Sequence, residues 1–176
     1  SGQVLTSGGT GVAPTFQTAA AGGISDVDGW YLDTQVTPSA TTTTTLTSWS
    51  QLSGFPRLGS SMTESSGIFT FPSTGIWEVS LSALMYFSSN EDNAEFHLGH
   101  SLNSGSSYSD TIWGGVGMYR VSGIGITRNN LTAVVDVTDV TQSRIRIQAW
   151  FSGTSDTQIK AGGTTTQIHF KRLGDT

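Results

Sequence analysis

The sequence predicts an all-β protein built as an antiparallel two-sheet sandwich or barrel. Apolar and polar residues alternate with a period of two in several short segments, and Gly, Pro, Ser, Asn and Asp cluster between those segments. No stretch carries apolar residues at helical spacing over a useful length. Short strands separated by turn signals, without helices, are typical of sandwiches and barrels.

The composition favours a polar but nearly uncharged surface. Charged residues make up 12% of the chain, about half the usual ~25%, and 22 glycines with many serines and threonines take their place. Secreted and virion-exposed β-proteins have such surfaces, although any threonine-rich β-domain shares the composition. Because there are no cysteines, a disulfide framework and a thiolate zinc site are excluded.

The charge balance argues against nucleic-acid binding. The formal net charge is −5 and the sequence pI is about 4.9, whereas nucleic-acid binding needs a basic stripe. The basic concentrations, Arg144 with Arg146 and Lys171 with Arg172, lie within strand-like segments. No apolar run reaches transmembrane length, so we expect no membrane insertion.

The first 23 residues are small, glycine-rich and uncharged, and contain too few apolar residues for a core. We expect residues 1–23 to form a linker or extended N-terminal arm, and residues 24–176 to form the head domain. The apolar side chains that would dock such an arm on a neighbour are Val4, Leu5, Val12 and Phe16.

The first part of the head carries weak strand signals. Residues 30–36 have strand composition after an Asp-Gly turn signal. The five threonines at 41–45 favour extended structure and predict an edge strand or a strand-to-loop transition. Phe55 before Pro56 marks a boundary.

Residues 67–81 predict a hairpin around which the head is organised. A short strand ends at Pro72, the chain turns through residues 72–75, and a longer strand begins. Alternation places one set of apolar side chains on a single face, which a second layer must cover: Trp77, Val79, Leu81, Ala83, Met85 and Phe87. We expect that layer to come chiefly from residues 130–137 and 165–173.

The later segments alternate in the same way. We expect a polar turn at 88–93, strands at 94–102 and 111–121, a turn region at 123–130, and strands at 131–137, 144–151 and 165–173. Three glycines weaken the 111–121 segment and suggest a bulge or a close backbone approach. The inward set of the last three strands is Leu131, Ala133, Val135, Val137, Ile145, Ile147, Ala149, Phe151, Ile168 and Phe170.

The chemistry-bearing residues do not form a catalytic or metal motif. His97 and His100 are three apart, so on a strand their rings point to opposite faces. There is no G-x-S-x-G elbow and no phosphate-binding loop, and the acidic groups 91/92/95 and 136/139 are only weak glycosidase candidates. Residues 26–29, Asp-Val-Asp-Gly, begin like a calcium loop but lack its remaining ligands. We therefore expect no enzyme activity, no cofactor and no metal.

Residues 67–77, Gly-Ile-Phe-Thr-Phe-Pro-Ser-Thr-Gly-Ile-Trp, resemble the signature of the C1q/TNF-like jelly rolls, in which G-I-F-T precedes P-x-x-G-I-Y/W. The order of the later strands is similar too, so the resemblance covers residues 31–174. The closing motif of that family, G-F-L-L/Y, is replaced by Gln-Ile-His-Phe-Lys-Arg-Leu at 167–173. The resemblance implies a jelly-roll sandwich that forms a compact homotrimer through one sheet.

Large aromatic residues on the polar sides of strands are candidates for that interface. The candidate trimer-interface residues are Tyr86, Trp150 and His169. Scattered surface aromatics are also normal in monomers, so this observation does not distinguish a trimer interface from an ordinary exposed surface.

A second resemblance concerns the arm. Residues 2–11, Gly-Gln-Val-Leu-Thr-Ser-Gly-Gly-Thr-Gly, are similar to the G-Q-V-L-T-S-x-G-x-G connector of phage tail-fibre and other virion appendage proteins. Together the two resemblances imply a virion protein, exposed on the particle surface or tail appendage, whose partners include other virion proteins.

Three functions remain open. The first is a trimeric receptor-binding head of a phage tail fibre or capsid fibre that recognises a host glycan or protein through loops 88–93, 103–110 and 152–163. Tyr108 would stack on a sugar ring, while carboxylates and amides would hydrogen-bond to the hydroxyl groups of the sugar. The candidate ligand-binding residues are Glu91, Asp92, Asn93, Tyr108, Asp110 and Asp156. The second is a capsid decoration or cement protein attached through residues 1–23. The third is a glycan-processing enzyme.

Overall fold

The chain folds into β-strands joined by turns, and none of the residues described by the structure is helical. The computed structural model describes residues 3–18, 23–88, 91–118, 122–153 and 156–176. Within these ranges no helix is present that could cross a membrane. The strands are β1 Gln3–Thr6, β2 Thr15–Thr18, β3 Val27–Leu32, β4 Thr44–Thr45, β5 Trp49–Gln51, β6 Thr63–Ser65, β7 Ile68–Thr70, β8 Gly75–Phe87, β9 Glu91–Ser101, β10 Ser109–Met118, β11 Gly125–Val137, β12 Arg144–Phe151, β13 Gln158–Ile159 and β14 Gln167–Gly174.

Two antiparallel sheets of six strands each make the predicted sandwich. The first, called here the β9 sheet, has the order β10-β9-β12-β7-β6, with β4 also paired to β12. The second, the β8 sheet, has the order β11-β8-β14-β3-β5, with β13 also paired to β8. The two-sheet antiparallel prediction is confirmed.

The connection through residues 71–74 is not the turn of a hairpin. Strand β7 pairs with β6 and β12 in one sheet, whereas β8 pairs with β11 and β14 in the other. The chain therefore crosses the sandwich here, with Phe71 buried in the crossing and the Trp77 indole N–H donating to the Ser73 carbonyl oxygen at 3.2 Å. The predicted hairpin at 67–81 is wrong, because Pro72 and Gly75 suit a turn between sheets as well as one within a sheet.

The true hairpin lies one strand earlier, between β6 and β7. Its two-residue loop is Ser66-Gly67, with φ of 53° and 84°. Two central residues with positive φ define the turn whose twist matches paired strands. Strand β6 was not predicted, because its three residues, Thr-Glu-Ser, are polar and too few to show alternation.

The prediction of which strands cover the apolar face of β8 is also wrong. Strands β11 and β14 hydrogen-bond to β8 on its two sides, so they extend its sheet rather than cover it. The cover comes from β7, β9 and β12 of the opposite sheet. Period-two alternation identifies the inward face of a strand but not the sheet to which the strand belongs.

The inward sets themselves are confirmed. Every predicted inward residue of β8, β11, β12 and β14 is buried, and together they form one core. Aromatic contacts join the sheets: the Phe69 ring of β7 lies 5.6 Å from Trp30 and 5.0 Å from Phe170, centroid to centroid. Tight interlocking of this kind is what fixes a single register.

Several boundaries differ from the predictions. The 30–36 segment is strand only to Leu32 and begins earlier, at Val27, while the threonine tract is strand only at 44–45. Most of the predicted turn at 123–130 belongs to β11, whose pairing with β8 starts at Gly125. The predicted bulges in the 111–121 segment appear as register shifts between Asp110 and Ile112 and between Val116 and Met118.

Asp28 anchors the long connection between β5 and β6. Its side chain is 1% exposed, and its carboxylate accepts hydrogen bonds from the Trp30 indole, the Met62 amide and the Gly29 amide, each at 2.9 Å. Asp26 acts similarly, accepting from the Ser60 amide at 2.8 Å. The oxygens considered as the opening of a calcium loop are thus engaged in holding the chain together.

The N-terminal residues form local structure of their own. Strands β1 and β2 pair as an antiparallel hairpin, whereas the sequence predicted a linker or an extended arm. Leu5 and Phe16 are directly opposite each other, and the four proposed docking residues, Val4, Leu5, Val12 and Phe16, are all exposed. The division at residue 23 and the docking role stay predictions.

Candidate functional site

The three loops expected to form one binding surface lie at opposite ends of the sandwich. Strand β9 begins at Glu91, inside the predicted turn at 88–93, and runs from that end of the sandwich, here the upper end, to the end where β10 begins, here the lower end. Residues 152–153 join 93 at the upper end, through the Ser152 amide and the Asn93 carbonyl oxygen at 3.0 Å. The 103–109 loop lies at the lower end, where the Ser104 amide donates to the Gln142 carbonyl oxygen at 2.8 Å.

Of the predicted ligand-binding residues, Asn93 and Asp156 lie at the upper end, each with partners of its own. The Asp156 carboxylate accepts from the Ser88 hydroxyl, and both residues line a hollow of about 80 Å³. The Asn93 amide group donates to the Glu95 carboxylate. The side chains of Glu91 and Asp92 lie outside the described residues.

The lower end holds Tyr108. The Arg146 guanidinium lies 4.0 Å from the centre of the Tyr108 ring, and burial raises the pKa of the Tyr108 hydroxyl. One face of the ring is therefore covered by a cation instead of being open to a sugar. Beside it is a cavity of about 370 Å³ lined by His100, Leu102, Asn103, Ser107, Ser109 and Thr111.

The two neighbouring histidines point to opposite faces, as the spacing predicts. His100 points inward and meets the Phe71 ring edge-on at 6.4 Å, and burial lowers its pKa although Asp136 acts in the opposite direction. His97 points outward, with Nδ1 2.8 Å from the Asp110 carboxylate and Nε2 3.2 Å from the Glu95 carboxylate. No group of three or more His, Cys, Asp or Glu side chains that could hold a metal ion occurs in the described part of the chain.

The candidate interface residues divide between the two sheets. Tyr86 and His169 lie on the outer face of the β8 sheet, whereas Trp150 lies on the outer face of the β9 sheet. The three candidates therefore do not share one sheet face. Nothing in the spacing of the chain could reveal this, because it depends on the assignment of strands to sheets.

His169 is covered by the long connection that Asp28 anchors. The Phe55 ring stacks on the imidazole with centroids 4.7 Å apart and planes 19° apart. Burial lowers the pKa of His169, and nearby Lys171 lowers it further. The centre of the β8 sheet's outer face is thus partly closed by the chain itself.

Apolar side chains remain uncovered on the β11 side of that face. Ile126 is 60% exposed and Val134 is 56% exposed. Ile126 lies directly opposite Tyr86, whose ring carries the Lys160 ammonium 4.9 Å from its centre. Between Ile126 and Val134 the outward side chains of β11 are the polar Arg128, Asn130 and Thr132, so the two apolar side chains occupy separate places on this edge strand.

The fold has counterparts among solved structures. The structure of murine APRIL at pH 8.5 matches with a TM-score of 0.59 and 11% identity, covering 84% of this chain and 98% of that one. Eiger TNF from S. frugiperda matches with a TM-score of 0.56 and 12% identity, covering 87% of this chain and 94% of that one. The fold is a TNF-like jelly roll. At this level of identity the likeness describes architecture alone.

No family model matches the sequence, and no curated protein matches it. The structural matches alone support the resemblance of residues 67–77 to the C1q/TNF-like signature, at the level of fold. No catalytic family is indicated by the comparisons.

The cluster around His97 is not among the predicted site residues except for Asp110. Glu95 and His97 are two residues apart, a spacing that places both on one face of a strand, and this signal was available. Asp110 and Trp113 join them from β10, and that juxtaposition depends on a strand register that includes a bulge.

Proposed function

We propose that this chain is a non-enzymatic homotrimeric binding head, carried on a virion surface or appendage, that recognises a host-surface glycan or protein. The TNF-like architecture supports a ligand-type or receptor-binding domain. The resemblance of residues 2–11 to the connector of tail-fibre and virion appendage proteins supports the location.

One observation carries the trimer. Ile126 and Val134 are more than half exposed on the outer face of the β8 sheet, where Ile126 lies opposite Tyr86 and Val134 lies opposite Glu78. Exposed apolar side chains, one of them with an aromatic neighbour, are typical of an interface core. Association of three chains through this face would bury both side chains.

Light scattering tests the assembly directly. We expect a native mass of three chains of 18.6 kDa each for the unaltered protein. The double variant Ile126→Asp/Val134→Asp would bury two charges in the interface and should run as a single chain. Leu102→Asp, which alters another exposed apolar residue at the lower end, is the matched control and should leave the mass unchanged. A single-chain mass for the unaltered protein would refute the trimer.

Recognition is proposed for the loop residues as well. Asn93 and Asp156, with Glu91 and Asp92, would contact the host at the upper end, and Tyr108 and Asp110 would do so at the lower end. Alanine variants of each set, measured by adsorption of labelled protein to host cells, tell the ends apart. If both sets adsorb normally as intact trimers, the loops are not the binding site.

A capsid decoration protein is the second candidate, and the arm favours it. The hairpin of β1 and β2 exposes Leu5 opposite Phe16, with Val4 and Val12 also exposed, as a segment that docks on a neighbouring protein would. Deleting residues 1–23 should release a decoration protein from the particle. A fibre head shortened in this way should still adsorb to cells.

A further inference from the structure

Two tryptophans stand on the outer face of the β9 sheet, one on each side of β9. Trp113 of β10 is directly opposite His97, and Trp150 of β12 is directly opposite Glu95. Both pairs point away from the core because Phe96, between them in the sequence, is fully buried. The tryptophans are two strands apart, about 10 Å across the sheet.

A fixed polar cluster fills the space between them. His97 is held at both ring nitrogens, by Asp110 at 2.8 Å and by Glu95 at 3.2 Å, and stacks on Trp113 with ring centroids 6.2 Å apart and planes 19° apart. The Asn93 amide group in turn donates to Glu95. These contacts orient the carboxylates and one indole in advance of any ligand.

Glycines allow neighbouring side chains to lie close against this part of the sheet. A Cβ on Gly115 would lie 2.5 Å from the Asn93 side-chain oxygen, and a Cβ on Gly99 would lie 3.3 Å from the Cβ of Tyr108. The Asn93 side chain therefore lies over Gly115, next to Glu95, and the Tyr108 side chain lies over Gly99. Gln148 of β12, opposite His97, and Arg146, which lies over Tyr108, border this surface on its β12 side.

The fold does not require this arrangement. Trp113 is 59% exposed, so most of its apolar surface stays in water. The carboxylates of Glu95 and Asp110 are bound to a histidine that contributes nothing to the core. An aromatic surface with a few well-placed polar groups is the usual composition of a small-molecule site.

We propose that this surface, formed by Trp113, Trp150 and the polar cluster of His97, binds a neutral oligosaccharide. The C–H face of a sugar ring packs on an indole, and its hydroxyl groups donate to carboxylates and accept from amide groups, which are the groups that the face presents. Charge selects the class: the carboxylates of Glu95 and Asp110 outnumber the bordering Arg146 guanidinium, and the chain has a net charge of −5, so sulfated and sialylated glycans are disfavoured. The inference rests on the proposed binding role, but moves the contact from the loops to a sheet face.

Nuclear magnetic resonance of the indole N–H groups tests the site with internal controls. The chain has five tryptophans, and the indoles of Trp30, Trp49 and Trp77 are bonded within the fold. We would titrate the full chain with neutral hexasaccharides of glucose, mannose, galactose and xylose, and with sialyllactose and a heparin hexasaccharide. The signals of Trp113 and Trp150 should shift with at least one neutral sugar while the other three stay in place.

Variants show which groups carry the affinity. Trp113→Ala and Trp150→Ala should each weaken binding of the responding sugar by about tenfold or more. Glu95→Gln and Asp110→Asn should weaken it less, because an amide oxygen still accepts a hydrogen bond. Leu102→Ala, elsewhere on the surface, should leave the affinity unchanged.

Three results would overturn the inference. The first is that no neutral sugar at millimolar concentration shifts the indole signal of Trp113 or Trp150. The second is that an anionic sugar binds more tightly than every neutral one, and the third is that Trp113→Ala lowers the native mass. The last would make this face a contact between copies of the chain. Light scattering on the same samples separates the two proposals. A three-chain mass without sugar binding refutes the glycan site alone, and a single-chain mass with sugar binding refutes the trimer alone.

Discussion

Replacing Asp28 should be among the most damaging single changes to the stability of this chain. The Asp28→Ala variant leaves three donors without their acceptor: the indole of Trp30 and the amides of Met62 and Gly29, all buried. Each orphaned buried donor costs about 1–3 kcal/mol, and relief of the buried charge offsets part of the sum. We expect a loss of about 4 kcal/mol in the free energy of unfolding, or roughly 10–15 °C in Tm.

The Asp28→Asn variant supplies a graded comparison. Trp30 and Met62 both donate to the same carboxylate oxygen, Oδ2, which an asparagine carbonyl oxygen can replace. The asparagine NH₂ group would then face the Gly29 N–H, so one bond of the three is lost. We expect a cost of about 1–2 kcal/mol.

Urea unfolding followed by tryptophan fluorescence measures both changes, at one fixed protein concentration because assembly contributes to stability. Asp33→Ala, on an exposed aspartate just beyond β3, is the control and should change stability by less than about 0.5 kcal/mol. Equal losses for Asp28→Ala and Asp28→Asn, or a loss below about 1 kcal/mol for Asp28→Ala, would refute the account of an anchoring carboxylate.

Two further predictions concern a turn and two histidines. Gly67→Ala should lower the free energy of unfolding by about 3 kcal/mol, because φ is 84° and the new Cβ would lie 2.5 Å from the Leu46 carbonyl oxygen. Gly54→Ala, at a φ of 79° but in open space, is the control and should cost about 1 kcal/mol. Similar losses for the two variants in thermal melts would contradict the steric argument. His100 and His169 have folded pKa values below the ordinary 6.5, so the unfolded chain binds more protons and stability falls as pH drops below about 6.5. Tm should therefore decrease from about pH 7 to about pH 5, less steeply in His169→Gln, and an unchanged slope would exclude His169 as a contributor.

The inward faces of the strands could be predicted because burial on one side imposes strict alternation. Every residue expected to face inward on β8 and β12 is buried, and Trp150 and Tyr86 are on the outer side as expected. Pairing could not be predicted in the same way. The crossing at residues 71–74 uses the same proline and glycine that a hairpin turn would use, so local chemistry does not distinguish a turn within a sheet from a passage between sheets.

The candidate binding residues show the same limit. The sequence indicates that residues 88–93 and 103–110 are polar and connect strands, but their separation to opposite ends follows from the course of β9 between them. Trp113 could not be recognised as an exposed binding residue from the sequence, because it lies in a segment whose strand pattern is weakened by glycines at 114, 115 and 117. One of those glycines, Gly115, proves to be part of the site, since it makes room for Asn93 beside Glu95.

Strand β14 has the middle position in its sheet, between β8 and β3, although both partners precede it in the chain. Until residues 167–174 have been synthesised, β3 and β8 each present an unpaired edge, and the core lacks Ile168 and Phe170. An incomplete chain is therefore an open template for strand addition by other copies. Folding must wait for β14, which joins segments more than 130 residues apart at Val27 and Lys171, so we expect slow folding and strong sensitivity to premature termination.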